Sequence, residues 1–131
     1  MKKYITNIEE ETLENDNFRK VLFTAKHMQL VVMSLNPNED IGEEVHESHD
    51  QFIRIEQGNA KAILDGKEFE LEDDSIVVIP AGVRHNIVNT SSQNKVKLYT
   101  IYAPPEHKDK TIHKTKEEGM EHDDFDGITS F

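Results

Sequence analysis

From position 18 to 102 the chain repeats one pattern: a short run rich in apolar and β-branched residues, then a cluster of Gly, Pro, Asn or Asp. Runs of this length at intervals of about eight to twelve residues predict strands, not helices. They fall at 18–24, 28–35, 41–46, 51–56, 60–64, 67–71, 75–79, 85–89 and 96–102. Asp65-Gly66 between two of them predicts a tight hairpin, since both turn positions want positive φ. The β-branched run 75–79 is continuous and predicts a fully buried strand. An all-β sandwich or barrel follows, occupying 18–103.

The flanks have a different pattern. Residues 1–17 are polar and acidic, with only Ile5, Ile8 and Leu13 at helical spacing, and predict a loosely packed lead-in. Residues 104–131 are charged and poor in apolar side chains. They predict a flap and a frayed, flexible tail, with a short helix near 114–120 as one option.

At 131 residues this is one domain, with a net charge of -11 and no cysteine. The acidity argues against nucleic acid, whose phosphates call for Lys and Arg. Absence of cysteine excludes disulfides and thiolate metal ligands and makes the cytoplasm the default location. No apolar run is long enough to predict a membrane span.

Polar residues in strand positions that should carry carbon add candidate chemistry. Glu44 and His46 are two apart and share a strand face. Gln51 shares a face with Ile53 and Ile55, and His85 with Ile87 and Asn89. A buried amide or imidazole among apolar residues needs a partner. Glu44, His46, Gln51 and His85 therefore form a candidate metal site, and Asn89 reads as a turn cap. Arg54, of opposite parity to Gln51, faces away. His49 reads as solvated, and His107, His113 and His122 as part of the tail, with His113 reaching the site only if the flap folds back.

These two clusters resemble the paired motifs of the cupin superfamily. The second motif is Pro80-Ala81-Gly82, His85 and Asn89, with Asp74 where the family has Gly; the first is Glu44-Val45-His46, Gln51 and Gly58, with Asn38 where Gly is usual. The resemblance covers 18–103 and is to small single-domain cupins of the mannose-6-phosphate isomerase-like type. It implies a double-sheet jelly-roll barrel and a divalent transition metal (Fe, Mn, Ni, Co or Zn) held by Glu44, His46, Gln51 and His85. Relative to the usual three His and one Glu, the carboxylate stands at 44 and an amide at 51. An amide there also occurs in cupins resembling pectin-catabolism enzymes. The resemblance further implies a small-molecule partner and a homodimer.

Three functions are open at this point. One is an isomerase or lyase acting on a small sugar or keto acid. The second is a metal-dependent dioxygenase using the Glu44, His46 and His85 face. The third is a binding module without turnover.

Overall fold

The computed structural model describes residues 1–120 and 124–131; His122 lies outside them. Helix α1 (Ile8–Glu14) is followed by β1 (Arg19–Thr24), β2 (Gln29–Leu35), β3 (Asp50–Gln57), β4 (Ala60–Leu64), β5 (Lys67–Leu71), β6 (Ile76–Ile79), β7 (His85–Asn89), β8 (Val96–Ala103) and β9 (Ile112–His113), with a short 3-10 helix at Glu118–Met120. Two antiparallel sheets form the jelly roll. The larger runs β6-β3-β8-β2-β1-β9 and the smaller β5-β4-β7. Among the described residues no helix is long and apolar enough to cross a membrane.

Period-two alternation sends one set of side chains inward. Across the large sheet the register aligns Val77, Ile53, Thr100 and Val31 in one row and Ile79, Gln51, Tyr102 and Gln29 in the next. Ile53, Ile55, Met33, Leu98 and Ile87 are completely buried where the two sheets meet. The core thus fills one end of the barrel, and the row containing Gln51 and Tyr102 lies towards the polar end.

Turn chemistry agrees with the sequence at the hairpin: Asp65 and Gly66 have φ of 48° and 83° between β4 and β5. The two residues in motif-glycine places also adopt the left-handed region, Asn38 at 63° and Asp74 at 72°. Asn and Asp are the side chains that tolerate this region best.

Four local expectations are revised. The segment 41–46 is not a continuous strand; it touches β7 only through single bridges at Asp40 and Glu44. Gly42, at φ 111°, breaks the extended run between them. Strand β6 is not fully buried, since Ile76 and Val78 are 54% and 62% exposed. It is an edge strand, so a run that looks uniformly apolar still has an uncovered outer face. The lead-in contains α1, capped by the Asn7 side chain, which accepts from the Glu10 amide, with Glu9, Glu10 and Glu11 favourably placed in the first turn. The tail returns to the barrel. Its β9 pairs with β1, Ser130 bonds Thr24, and Phe131 stacks on Phe23.

Candidate metal and ligand site

Glu44 and His85 form a closed backbone pair, each amide donating to the other's carbonyl at 2.9 Å. Directly paired residues share a face, so both side chains start from the same place. The ring of His46 lies 5.2 Å from that of His85 and 5.9 Å, edge-on, from Tyr102. Tyr102 is in register with Gln51, which brings the amide to the same end of the barrel.

Each of these polar groups is held by its far end. His85 donates from Nδ1 to the Val83 carbonyl at 2.9 Å, the tautomer that places the neutral ring's lone pair on Nε2. Gln51 donates from Nε2 to the Thr100 hydroxyl at 3.0 Å, while its buried Oε1 has no hydrogen-bond partner. The buried Nε2 of His46 likewise has no hydrogen-bond partner, though Oε2 of Glu44 is 3.3 Å away. Two buried atoms therefore lack a hydrogen-bond partner, His46 Nε2 beside the Glu44 carboxylate and Gln51 Oε1. Buried acceptors without donors are costly in a folded interior, and a cation would satisfy both.

Sequence reasoning missed two residues here. The other ring nitrogen of His46, Nδ1, is 3.3 Å from Oε2 of Glu106, and His49 Nε2 is 3.3 Å from the same oxygen. His49 is thus not solvated; its side chain is 20% exposed and also contacts the Pro105 carbonyl at 3.1 Å. Among the described residues, His46, His49 and Glu106 are the one group of His and acidic side chains whose ligand atoms all lie within 4.8 Å of one another; Glu44, His46 and His85 are not so grouped. Two observations favour the inward set of Glu44, His46, Gln51 and His85. To donate to Pro105, His49 must keep its proton on the nitrogen that would ligate. A carboxylate at Nδ1 of His46 is also the usual outer partner of a ligating imidazole.

Glu106 is placed by Gln29, which is completely buried. The Gln29 Oε1 accepts from the Glu106 and His107 amides, and its Nε2 donates to the His107 carbonyl and the Thr24 hydroxyl. The loop after β8 is thereby fastened across the barrel mouth. No short-range pattern announces this, because the partners are 77 and 78 residues apart.

Burial, then the neighbouring His85, His49, His107 and Arg19, pushes the pKa of His46 down from 6.5 to about 4. The carboxylates of Glu44 and Glu106 pull the other way. Because the ring is only 10% exposed and surrounded by other imidazoles, burial prevails. His46 is neutral at pH 7, the form that ligates metal.

The remaining residues are accounted for locally. Asn89 caps the turn as expected, donating to the carbonyls of Leu35, Asn36 and Asn94 and accepting from the Ser91 amide. Arg54 faces outward and pairs with Asp74 and Glu56. His113 is buried, contacting Arg19 at the edge of the sheet.

Residues 31–102 match the cupin domain family. The chain is 43% identical over 129 residues to the uncharacterized protein YrkC of Bacillus subtilis, covering 94% of this chain and 69% of that one. It is 49% identical over 108 residues to the uncharacterized protein L612 of Acanthamoeba polyphaga mimivirus, covering 79% and 67%. Among solved structures, BH2720 of Bacillus halodurans superposes with a TM-score of 0.88 at 41% identity, covering 91% of this chain and 94% of that one. KdgF of a Halomonas species, with a TM-score of 0.61 at 21% identity over 66% and 77% of the two chains, shares the fold. The match to the domain family spans more than half of the sequence, and this chain belongs to the cupin family.

Proposed function

We propose that the barrel holds a divalent transition metal through His46, His85, Gln51 and Glu44, and acts as an isomerase or lyase on a small sugar or keto acid. The observation that carries this reading is that two buried atoms, His46 Nε2 and Gln51 Oε1, have no hydrogen-bond partner, with Glu44 Oε2 3.3 Å from the first and the His85 ring 5.2 Å from that of His46. The donor set of two imidazoles, one amide oxygen and one carboxylate suits Fe, Mn, Ni, Co or Zn better than Ca or Mg. A divalent ion bound there supplies Lewis acidity that polarises a carbonyl.

The protein's own groups do the rest. Val83 and Thr100 orient His85 and Gln51. Glu106 orients His46, and together with His49 it stands at the mouth where a proton enters or leaves. A homodimer is part of this reading: β6 and β5 each stand at one edge of their sheets, and Ile76, Val78 and Phe69 are exposed along them.

The test is elemental analysis of untagged protein. Wild type should retain stoichiometric metal after loading. His46→Ala and His85→Ala should lose it, Gln51→Ala should weaken it less, and Glu44→Gln should fall between. His49→Ala should retain metal. If wild type holds none after loading, or all four inward variants match it, the reading fails. Loss in His49→Ala with retention in His85→Ala would transfer the site to the His46, His49 and Glu106 group. Oxygen consumption by the loaded protein would favour a dioxygenase, for which Glu44, His46 and His85 would serve equally.

A further inference from the structure

Strand β5 is the outer strand of the small sheet, and one of its edges has no strand beside it. Leu64 and Lys67 flank the two-residue turn, so alternation along the antiparallel ladder directs the backbone groups of Lys67, Phe69 and Leu71 to β4. The amides and carbonyls of Glu68 and Glu70 point the other way, and among the described residues they have no hydrogen-bond partner. Phe69 lies opposite Ala62, which is 1% exposed on the inner face, yet Phe69 itself is 49% exposed. The sandwich is open along this margin. A groove of about 790 Å³ follows it, lined in part by Lys61, Glu68, Phe69, Glu70, Leu71 and Glu72.

Charge decides what can lie there. On the outer face Lys61 stands opposite Glu70 but bonds Glu68, at 2.8 Å, and among the described residues Glu70 and Glu72 form no ion pair. A second copy of β5, pairing antiparallel about Glu68, Phe69 or Glu70, would set glutamate directly opposite glutamate, which is destabilising. The net charge of -11 adds to that repulsion. Strand β6, by contrast, carries no charged residue from Ile76 to Ile79, so the homodimer proposed above uses β6 and leaves β5 free. A strand with cations opposite Glu68 and Glu70, and an apolar side chain between them beside Phe69, complements every feature of this edge. Glutamates on an edge also deter aggregation, but that role needs neither an uncovered phenylalanine on the inner face nor a groove beside it.

We infer that β5 is a docking edge for an extended segment of a partner polypeptide in which basic residues alternate with apolar ones, added to the small sheet as a further strand. The two amides and two carbonyls of Glu68 and Glu70 bond its backbone. Glu70 takes a Lys or Arg, and Phe69 packs against the apolar residue that follows. Docking here is on the outside of the barrel and does not depend on the metal.

The probe is a short peptide, blocked at both ends, with lysine at its first, third and fifth places and valine between. It is compared with the same peptide methylated on the amide nitrogens of its lysines, and with one carrying glutamate in place of lysine. Isotopically labelled protein at physiological ionic strength is titrated with each and followed amide by amide by NMR. Wild type should bind the lysine peptide saturably, with the largest shifts at the Glu68 and Glu70 amides, whose exchange with solvent should slow by at least about tenfold. Methylation keeps the charge and removes the backbone donors, and should weaken binding by at least about tenfold. The glutamate peptide should not bind. Glu70→Lys should weaken binding of the lysine peptide by a similar factor and Glu70→Gln by less; should Glu70→Lys not fold, Glu70→Gln decides by the same comparison. Docking at β5 is excluded if the lysine peptide does not bind, or if the methylated peptide binds as tightly, which would reduce the effect to general attraction by an acidic surface. Slow exchange at Glu68 and Glu70 in peptide-free protein that quickens on dilution would give the edge to a second copy, and overturns the assignment as well.

Discussion

At the scale of single residues, strand parity is a local property, and it was enough to predict that Gln51 and His85 point among buried neighbours, as they do. The spacing of Glu44 and His46 was read on a strand that does not form, yet the bridge of Glu44 to His85 brings the segment alongside β7, and the rings of His46 and His85 lie 5.2 Å apart. Glu106 was not legible, because it reaches His46 and His49 through contacts distant in sequence, and His49 was read as solvated because nothing local announces that Pro105 and Glu106 cover it. Two residue-level predictions follow from these contacts. Gln29→Leu removes four hydrogen bonds, three of them buried, and leaves their partners unsatisfied. It should cost about 3 kcal/mol of stability, read by denaturant unfolding, and weaken metal retention by misplacing Glu106. The second concerns pH. The folded ring of His46 binds its proton less readily than the unfolded chain does, with a pKa near 4 against 6.5. Above pH 6.5 the two states are equally unprotonated there and no stability is lost. As pH falls from 6.5 towards 4 the unfolded chain gains protons first and stability drops, levelling below 4. Metal-free protein should show this fall in melting temperature, and His46→Gln should flatten it.

Elements were legible where pattern and burial coincide and less so where they part. Eight predicted runs became strands, and the Asp65-Gly66 hairpin formed in register. The run at 75–79 misled because apolar composition reports what a strand tolerates, not whether a neighbour covers it; β6 has β3 on one side only. The tail misled for the opposite reason. Its few apolar side chains suggested little ordering, yet it is anchored by backbone pairing and buried polar contacts, which composition does not register. At Gly119, in the strap formed by residues 114–119, the anchoring is tight: a Cβ added there would come within 2.8 Å of the Phe18 ring. Gly119→Ala should lift the strap from Phe18, cost on the order of 1–3 kcal/mol, and make residues 114–119 the first site of limited proteolysis. Equal protease resistance in the variant would show that the strap has room to adjust.

For the whole molecule, the two sheets and their jelly-roll closure were legible from strand count and spacing, and the family match over residues 31–102 agrees. The proposed homodimer belongs to this scale. Exposed β-branched side chains on a free edge are an aggregation liability unless something covers them. Val78→Lys puts a charge on that edge without touching the interior, since Val78 points outward. The mass measured by light scattering should fall from dimer to monomer, while metal content stays constant. A wild type that is already monomeric would remove the pairing.

The contacts that close the barrel mouth also determine when it can close. Pairing of β1 with β9 joins Arg19 to His113, and Gln29 waits for residue 107. Ring closures of this length are slow relative to hairpins. On a ribosome, the sheets can be nearly complete while Glu106 and the strap are still inside the exit tunnel. During that interval the imidazoles face open solvent. The chamber therefore closes after the sheets around it, and any ion that enters early meets an open vessel whose lid has yet to emerge.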